Sequence, residues 1–158
     1  MKNTALALTI LSVFTAAAAS AGPTADKKQR EGLDKAIAQA AADVKDCGKT
    51  FKLSFDWAAY DKLDWSKAAR KKEEQVGFEI SNVRWIGSGL NTLCKDKDYK
   101  ETLQKIDNVV YRTILDSGEK GESRTKAKIQ GTTLTFESRM GGSTRDSSDF
   151  ASAAKKVL

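Results

Sequence analysis

The sequence contains no histidine, and this absence excludes whole classes of enzyme. Catalytic Ser-His and Cys-His pairs need an imidazole, and so do the metal sites that His residues build. A hydrolase made from this chain would have to use paired carboxylates, or a Ser activated by a Lys. The chain has no Gly-x-Ser-x-Gly motif and no cluster with the spacing of metal ligands. We therefore expect a protein that is not an enzyme and that holds no cofactor or metal.

Cysteine is scarce as well, because Cys47 and Cys94 are the only two in the chain. They lack the Cys-x-x-Cys spacing that lowers the pKa of a thiol. In an oxidising compartment, an even number of cysteines in a small domain favours a disulfide. The bond would close a loop of about 48 residues, which the chain-entropy model values at about 4 kcal/mol. The sequence therefore predicts a structural Cys47–Cys94 disulfide.

No apolar run in the chain is long enough to span a bilayer. The most apolar stretch lies within residues 1–21, where Lys2 precedes a short apolar run that ends in the small residues before Gly22. This order is typical of a cleavable secretion signal. We expect the signal to be removed, leaving residues 22–158 as a single soluble domain that is periplasmic or secreted.

The chain also lacks a strong excess of either charge, with 27 Lys and Arg against 21 Asp and Glu and a formal net charge of +6. Loss of Lys2 with the signal lowers this value to +5. A moderately basic protein favours anionic partners. Basic residues alternate with acidic ones instead of forming one patch, so we do not expect nucleic acid as a partner.

Apolar residues recur at spacings of three or four in several segments, which predicts helices. A first helix runs up to Cys47 and a longer one from about Lys67 to Lys95, so the disulfide would join the ends of these two helices. Within the longer helix, residues 87–89 read Gly-Ser-Gly and predict a kink or a close helix crossing, because Gly disfavours helix interiors. A short helix over residues 99–106 and a C-terminal helix that buries Phe150 complete the set.

Alternating and β-branched segments predict the strands. Residues 51–57 alternate apolar and polar side chains, and residues 109–115, 124–129 and 132–138 follow one another with short turns between them. We expect these segments to form a small antiparallel meander of about three to four strands. Because the longer helices precede most of the strands, the predicted fold class is α+β.

The densest candidate site lies between Asp56 and Trp65, where three large aromatic residues alternate with three carboxylates. On a surface, Trp and Tyr give rigid contact area and the acids give directed hydrogen bonds. The alternative is that the aromatic residues fill the core and the acids cap helices. A glycosidase pair could also be drawn from Asp56, Asp61 and Asp64. The predicted binding residues are Trp57, Tyr60, Asp61, Asp64 and Trp65.

A second, weaker candidate precedes the C-terminal helix. Backbone N–H groups, hydroxyls and a guanidinium ahead of a helix can hold an anion. The alternative is a connecting loop with no ligand. The residues concerned are Gly141, Gly142, Ser143, Thr144 and Arg145.

Together these observations favour an exported, non-enzymatic domain that binds another protein. Inhibitors and immunity-type proteins of the bacterial envelope have this size and this cellular location. The first alternative is a small module that binds an anionic or carbohydrate ligand of the cell envelope, and the second is a hydrolase that uses carboxylates.

Overall fold

The computed structural model describes residues 23–115, 124–140 and 145–158, with side chains from Asp26 onward. The predicted secretion signal and residues 141–144 lie outside these ranges. Within them the α+β class is confirmed. The elements in chain order are α1 (Pro23–Ala42), β1 (Lys52–Phe55), α2 (Trp57–Asp61), a 3-10 helix (Trp65–Lys67), α3 (Lys72–Cys94), α4 (Lys97–Leu103), β2 (Asn108–Ile114), β3 (Thr125–Gln130), β4 (Thr133–Arg139) and α5 (Ser147–Lys155).

The four strands form one mixed sheet in the order β1-β2-β4-β3. The β3–β4 hairpin is antiparallel as predicted, and Gly131 in its turn has a φ of 57° that favours glycine. The predicted meander is wrong, because β2 pairs in parallel with both β1 and β4 instead of antiparallel with β3. The two central strands bury apolar residues such as Val109 and Phe136, whereas the Lys-rich β3 takes an edge, where Lys is tolerated.

The three longest helices cover one face of the sheet. Helix α1 packs on β1 and α3, and α5 packs on β3, β4 and α3. The core between the two layers holds leucine and isoleucine side chains from the helices and four fully buried aromatic residues, which are Tyr60, Tyr111, Phe136 and Phe150.

The opposite face of the sheet carries a row of alternating charges across the strands. The Arg112 guanidinium lies 2.6 Å from a carboxylate oxygen of Asp56 and 3.5 Å from one of Glu137. The Lys128 ammonium lies 2.6 Å from the same Glu137 oxygen. These side chains are partly buried, and each charge faces one of opposite sign. The four charges of this row therefore pair with one another.

Close helix crossings occur at both glycines of the Gly-Ser-Gly segment, as predicted. A Cβ atom added at Gly87 would lie 3.2 Å from the carbonyl carbon of Ala40 in α1 and nearer still to its oxygen. A Cβ atom at Gly89 would lie 3.0 Å from the Phe150 Cβ in α5. Helix α3 therefore uses one glycine to approach each neighbouring helix.

The Cys47–Cys94 disulfide is present, with a Cα–Cα distance of 4.9 Å. It joins the end of α3 to the loop after α1, and not to the end of α1 as predicted, because α1 ends at Ala42. Asn91 in α3 explains the early end: its side-chain oxygen accepts from the amides of Lys45 and Asp46. These amides bond across to α3 instead of continuing the helix.

Helix α3 also starts later than predicted, at Lys72 and not at Lys67. Residues 65–67 form a separate 3-10 helix, whose first turn is capped by the Asp64 side chain. No helix in the described ranges is both long and apolar enough to cross a membrane.

Candidate protein-binding surface

Tyr60 is the centre of the predicted aromatic site and is itself fully buried. Its ring lies edge-on to those of Trp57 and Trp65, with centroids 5.6 and 4.8 Å away, and Phe55 closes the cluster at 5.4 Å. The Tyr60 hydroxyl donates to the carbonyl of Lys72 at 2.7 Å. Burial is the first cause that raises the pKa of this hydroxyl. Tyr60 therefore supports the surface from below and does not itself reach a ligand.

Trp57 and Trp65 flank Tyr60 and are only half buried. The Trp57 indole N–H donates to the Asp34 carboxylate at 3.0 Å, and the Trp65 indole N–H donates to the Tyr60 carbonyl at 3.3 Å. The N–H group of each indole is therefore hydrogen-bonded within the protein. What the rings leave accessible is apolar carbon, the kind of surface that proteins use for contact.

Arg30 of α1 fixes one side of this cluster. Its guanidinium lies 4.4 Å from the centroid of the Trp57 ring and donates to Asp61 at 2.6 Å. It also donates to Asp26, one turn earlier in α1. Because two carboxylates hold this cation over the indole, few rotamers remain available to the Arg30 and Trp57 side chains.

Asp61, a predicted binding residue, lies between two cations. Besides the bond from Arg30, it accepts from Lys72 at 2.6 Å. These hydrogen bonds, with that from Arg30 first, lower the pKa of Asp61 to about 2. The carboxylate is charged at neutral pH and is already engaged with the protein's own side chains.

The other two acids of the segment also have structural partners. Asp64 accepts from Ser66, and this bond, together with Lys67, lowers its pKa. Burial alone would raise the pKa of Asp56, but the Ala59 amide and Arg112 outweigh it and lower the pKa. A glycosidase needs one carboxyl group whose pKa is raised so that it can donate a proton. The partners of Asp56, Asp61 and Asp64 instead lower the pKa of all three.

A groove of about 340 Å³ adjoins Trp57, between α1 and the outer edge of β1. Helix α1 contributes Asp34, Ile37 and Ala38 to it, and β1 contributes residues 53–55. The groove is mostly apolar, with the Asp34 carboxylate at the end nearest Trp57. It extends the aromatic surface along the sheet edge.

Arg145, the last residue of the second candidate site, is 2% exposed. Its guanidinium donates to the Arg139 carbonyl at 2.6 Å, and its amide donates to the Asn82 side chain at 2.8 Å. This side chain ties the start of α5 to the core. The other four residues of that candidate site, 141–144, lie outside the described residues.

A buried polar network beneath the sheet was missed in the sequence. Glu79 is almost fully buried and accepts from the Tyr111 hydroxyl, from Gln75 at 2.6 Å and from Asn82 at 3.2 Å. Burial and the Glu79 charge raise the pKa of Tyr111 well above its usual value. The signal was available, because residues 75, 79 and 82 follow the helical period along one side of the apolar stripe of α3.

Trp85 is a second residue that the sequence interpretation overlooked. Its side chain is 42% exposed on α3, the largest apolar side chain to be exposed among the described residues. It lies off the stripe formed by Val83 and Ile86, so the helical period alone would have placed it outward.

Comparison of the chain with protein-family models, curated proteins and solved structures found no match. Within the described ranges, no group of three or more acidic or cysteine side chains is arranged to hold a metal ion. Among the predicted site residues, the structure brings Trp57 and Trp65 together around Tyr60, with a groove beside Trp57.

Proposed function

We propose that this protein is an exported, non-enzymatic domain that binds another protein through the surface formed by Trp57, Trp65 and the adjoining groove. One observation carries the proposal: both indoles have their N–H groups bonded internally, so they present apolar carbon beside a preformed groove. Interfaces between proteins draw most of their affinity from a few such aromatic residues in well-packed positions.

Preorganisation supports the same function. Arg30 packs on the ring of Trp57 and is itself bonded to Asp26 and Asp61. A side chain that is already fixed loses little rotamer freedom when a partner covers it. The surface can therefore bind without a large cost of ordering.

At Trp57 the packing favours a protein side chain over a sugar ring. A sugar ring stacks on the open face of an aromatic side chain, but a face of Trp57 is occupied by the Arg30 guanidinium at 4.4 Å. Trp57 also has Phe55 and Tyr60 against it, with ring centroids 4.6 and 5.6 Å away. A protein side chain can use the remaining edges, whereas a flat sugar face needs more room.

The proposed location is the periplasm or the exterior of the cell. Residues 1–21 have the composition of a secretion signal, and the disulfide suits an oxidising compartment. An inhibitor or immunity-type protein of the bacterial envelope fits this combination, and the net positive charge favours a partner with an acidic surface.

Site-specific photo-crosslinking in living cells tests the proposal. A photoreactive phenylalanine derivative replaces Ala58, an exposed residue beside Trp57, or Ser152, an exposed residue on α5 that serves as the matched control. Irradiation is expected to join the Ala58 variant to a discrete protein partner, while the Ser152 variant gives no such adduct. No adduct at Ala58, or identical adducts at both positions, would contradict the proposal.

A further inference from the structure

In the sheet formed by the described residues, β1 is an edge strand, and backbone groups on its outer side have no strand beside them. The amides of Lys52 and Asp56 donate to the carbonyls of Asp107 and Tyr111, which places the even-numbered residues of β1 toward β2. Backbone groups alternate sides along a strand, so the N–H and C=O groups of Leu53 and Phe55 point away from the sheet. Among the described residues, none forms a hydrogen bond with these four groups.

The groove lies against this same edge. Ile37 and Ala38 form its helix side, and Leu53 and Phe55 form its strand side. An extended chain placed along β1 would direct every second side chain toward this space, because side chains alternate between the two faces of a sheet. Backbone pairing and a side-chain groove therefore coincide at one position.

The groove also carries a negative charge, Asp34, for which the described residues provide no ion pair. Asp34 accepts from the Trp57 indole with one carboxylate oxygen. No ion pair involves Asp34 in the described part of the chain, since the nearby Arg30 is engaged by Asp26 and Asp61. A basic side chain entering the Trp57 end of the groove would complete this pairing.

The opposite edge of the sheet is less suited to strand addition. There β3 carries Lys126 and Lys128, and charged side chains on an edge strand discourage pairing with another chain. The outer edge of β1 has only Lys52 at its start, and the groove beside it is mostly apolar.

We propose that the partner presents an extended segment that adds beside β1 as a fifth strand. The segment carries an aliphatic side chain for the groove and, two residues away on the same side, a Lys or Arg for Asp34. This mode of recognition, in which the main chain supplies the contacts and alternate side chains the selectivity, is known from other strand-addition complexes. The inference rests on the protein-binding function proposed above and specifies the chemistry of the partner.

The first test uses a phage-displayed library of random linear nonapeptides, selected on the protein purified from the periplasm. Selected peptides are expected to share an aliphatic residue and a Lys or Arg two positions apart, with no Pro between them. A synthetic copy of the best peptide should slow hydrogen exchange of the Leu53 and Phe55 amides by about tenfold or more. The amide of Ser54 already faces β2 and is the internal control.

The second test fills the groove without touching the core. Ala38→Trp places a large ring in the groove, whereas Ala42→Trp makes the same change at another exposed residue of α1 that does not line it. Peptide affinity is expected to fall by about tenfold or more in the first variant and less than about twofold in the second. Asp34→Asn keeps an oxygen for the Trp57 bond and should weaken only peptides that carry the basic residue.

The outcomes separate this inference from the function on which it rests. The strand-addition inference would be overturned if the selected peptides shared no common pattern. It would also be overturned if they left the Leu53 and Phe55 amides unprotected and bound the Ala38→Trp variant with unchanged affinity. If crosslinking at Ala58 still captured a protein partner, the protein-binding function would stand and only the mode would be wrong. If a peptide pairs with β1 as described while the Ala58 variant captures no protein, the β1 edge binds peptides but the surface around Trp57 and Trp65 does not bind a protein partner.

Discussion

The crossing of α3 over α1 allows one substitution to be evaluated from the structure. A Cβ atom at Gly87 would lie 3.2 Å from the carbonyl carbon of Ala40 and under 3.0 Å from the carbonyl oxygen, closer than side chains approach in proteins. The obstacle is backbone, so no side chain can rotate out of the way. Gly87→Ala therefore forces α1 and α3 apart.

Two opposing contributions set the magnitude. Replacing Gly by Ala inside a helix stabilises it by roughly 1 kcal/mol. Inserting a carbon atom into a packed interior costs about 1–3 kcal/mol, and a backbone obstacle places this case near the upper end. The net expectation is a loss of about 2 kcal/mol in the free energy of unfolding.

Gly77 is the matched control because it lies in the same helix with open space around its Cβ position. Gly77→Ala should stabilise the protein by up to about 1 kcal/mol, so the two variants should differ by about 3 kcal/mol. Urea unfolding followed by tryptophan fluorescence measures both differences. A Gly87→Ala protein as stable as the unmodified protein would refute the crossing geometry.

Three further outcomes are expected. Replacing Cys47 and Cys94 together by Ser should lower the free energy of unfolding by about 4 kcal/mol in urea, and an unchanged midpoint would contradict the structural role of the disulfide. Asp61→Asn should cost about 1 kcal/mol at pH 7, a value reduced for the exposure of the pair. Because the folded pKa of Asp61 is about 2 and lies below the ordinary 3.8, its contribution is complete above about pH 5 and fades as the pH falls toward 2. A difference between Asp61→Asn and the unmodified protein that is as large in thermal melts at pH 2 as at pH 7 would rule this out. Finally, N-terminal sequencing of exported protein should begin at Gly22, and an intact Met1 in that fraction would argue against a cleaved signal.

Local patterns predicted most of the elements but not the partners of the strands. The β3–β4 hairpin follows from the short Gly131 turn, and the close helix crossing follows from Gly87 and Gly89 within an apolar helix. The parallel pairing of β2 with β4 depends on contacts between segments far apart in sequence. Alternation tells which face of a strand is buried, and it does not tell which strand lies beside it.

The end of α1 shows that the bounds of a helix also depend on contacts between residues far apart in sequence. Periodicity predicts a helix that continues to Cys47, yet the side chain of Asn91, which is 46 residues after Lys45, accepts hydrogen bonds from the amides of Lys45 and Asp46. Asn91 also donates to the Asp43 carbonyl at 2.7 Å. These bonds give the backbone an alternative to helix, and only the folded arrangement of α3 supplies them.

The sequence predicts the candidate site as one continuous segment, whereas the structure builds it from that segment together with residues of α1. The aromatic residues between 57 and 65 do come together, but two of the features that define the surface come from α1, in Arg30 over Trp57 and Asp34 beside it. No spacing rule joins these residues to the segment. Burial of Tyr60 likewise follows from packing against Phe55 and Trp65.

The same contacts position α1, which forms one wall of the groove beside β1. Helix α1 is held near its start by Arg30 and Asp61, near its end by the crossing at Gly87, and just beyond its end by the Cys47 disulfide. A helix held at three points cannot tilt freely against the sheet edge. A substitution that displaces α1, such as Gly87→Ala, should therefore weaken peptide binding at β1 even though Gly87 is not among the residues that line the groove.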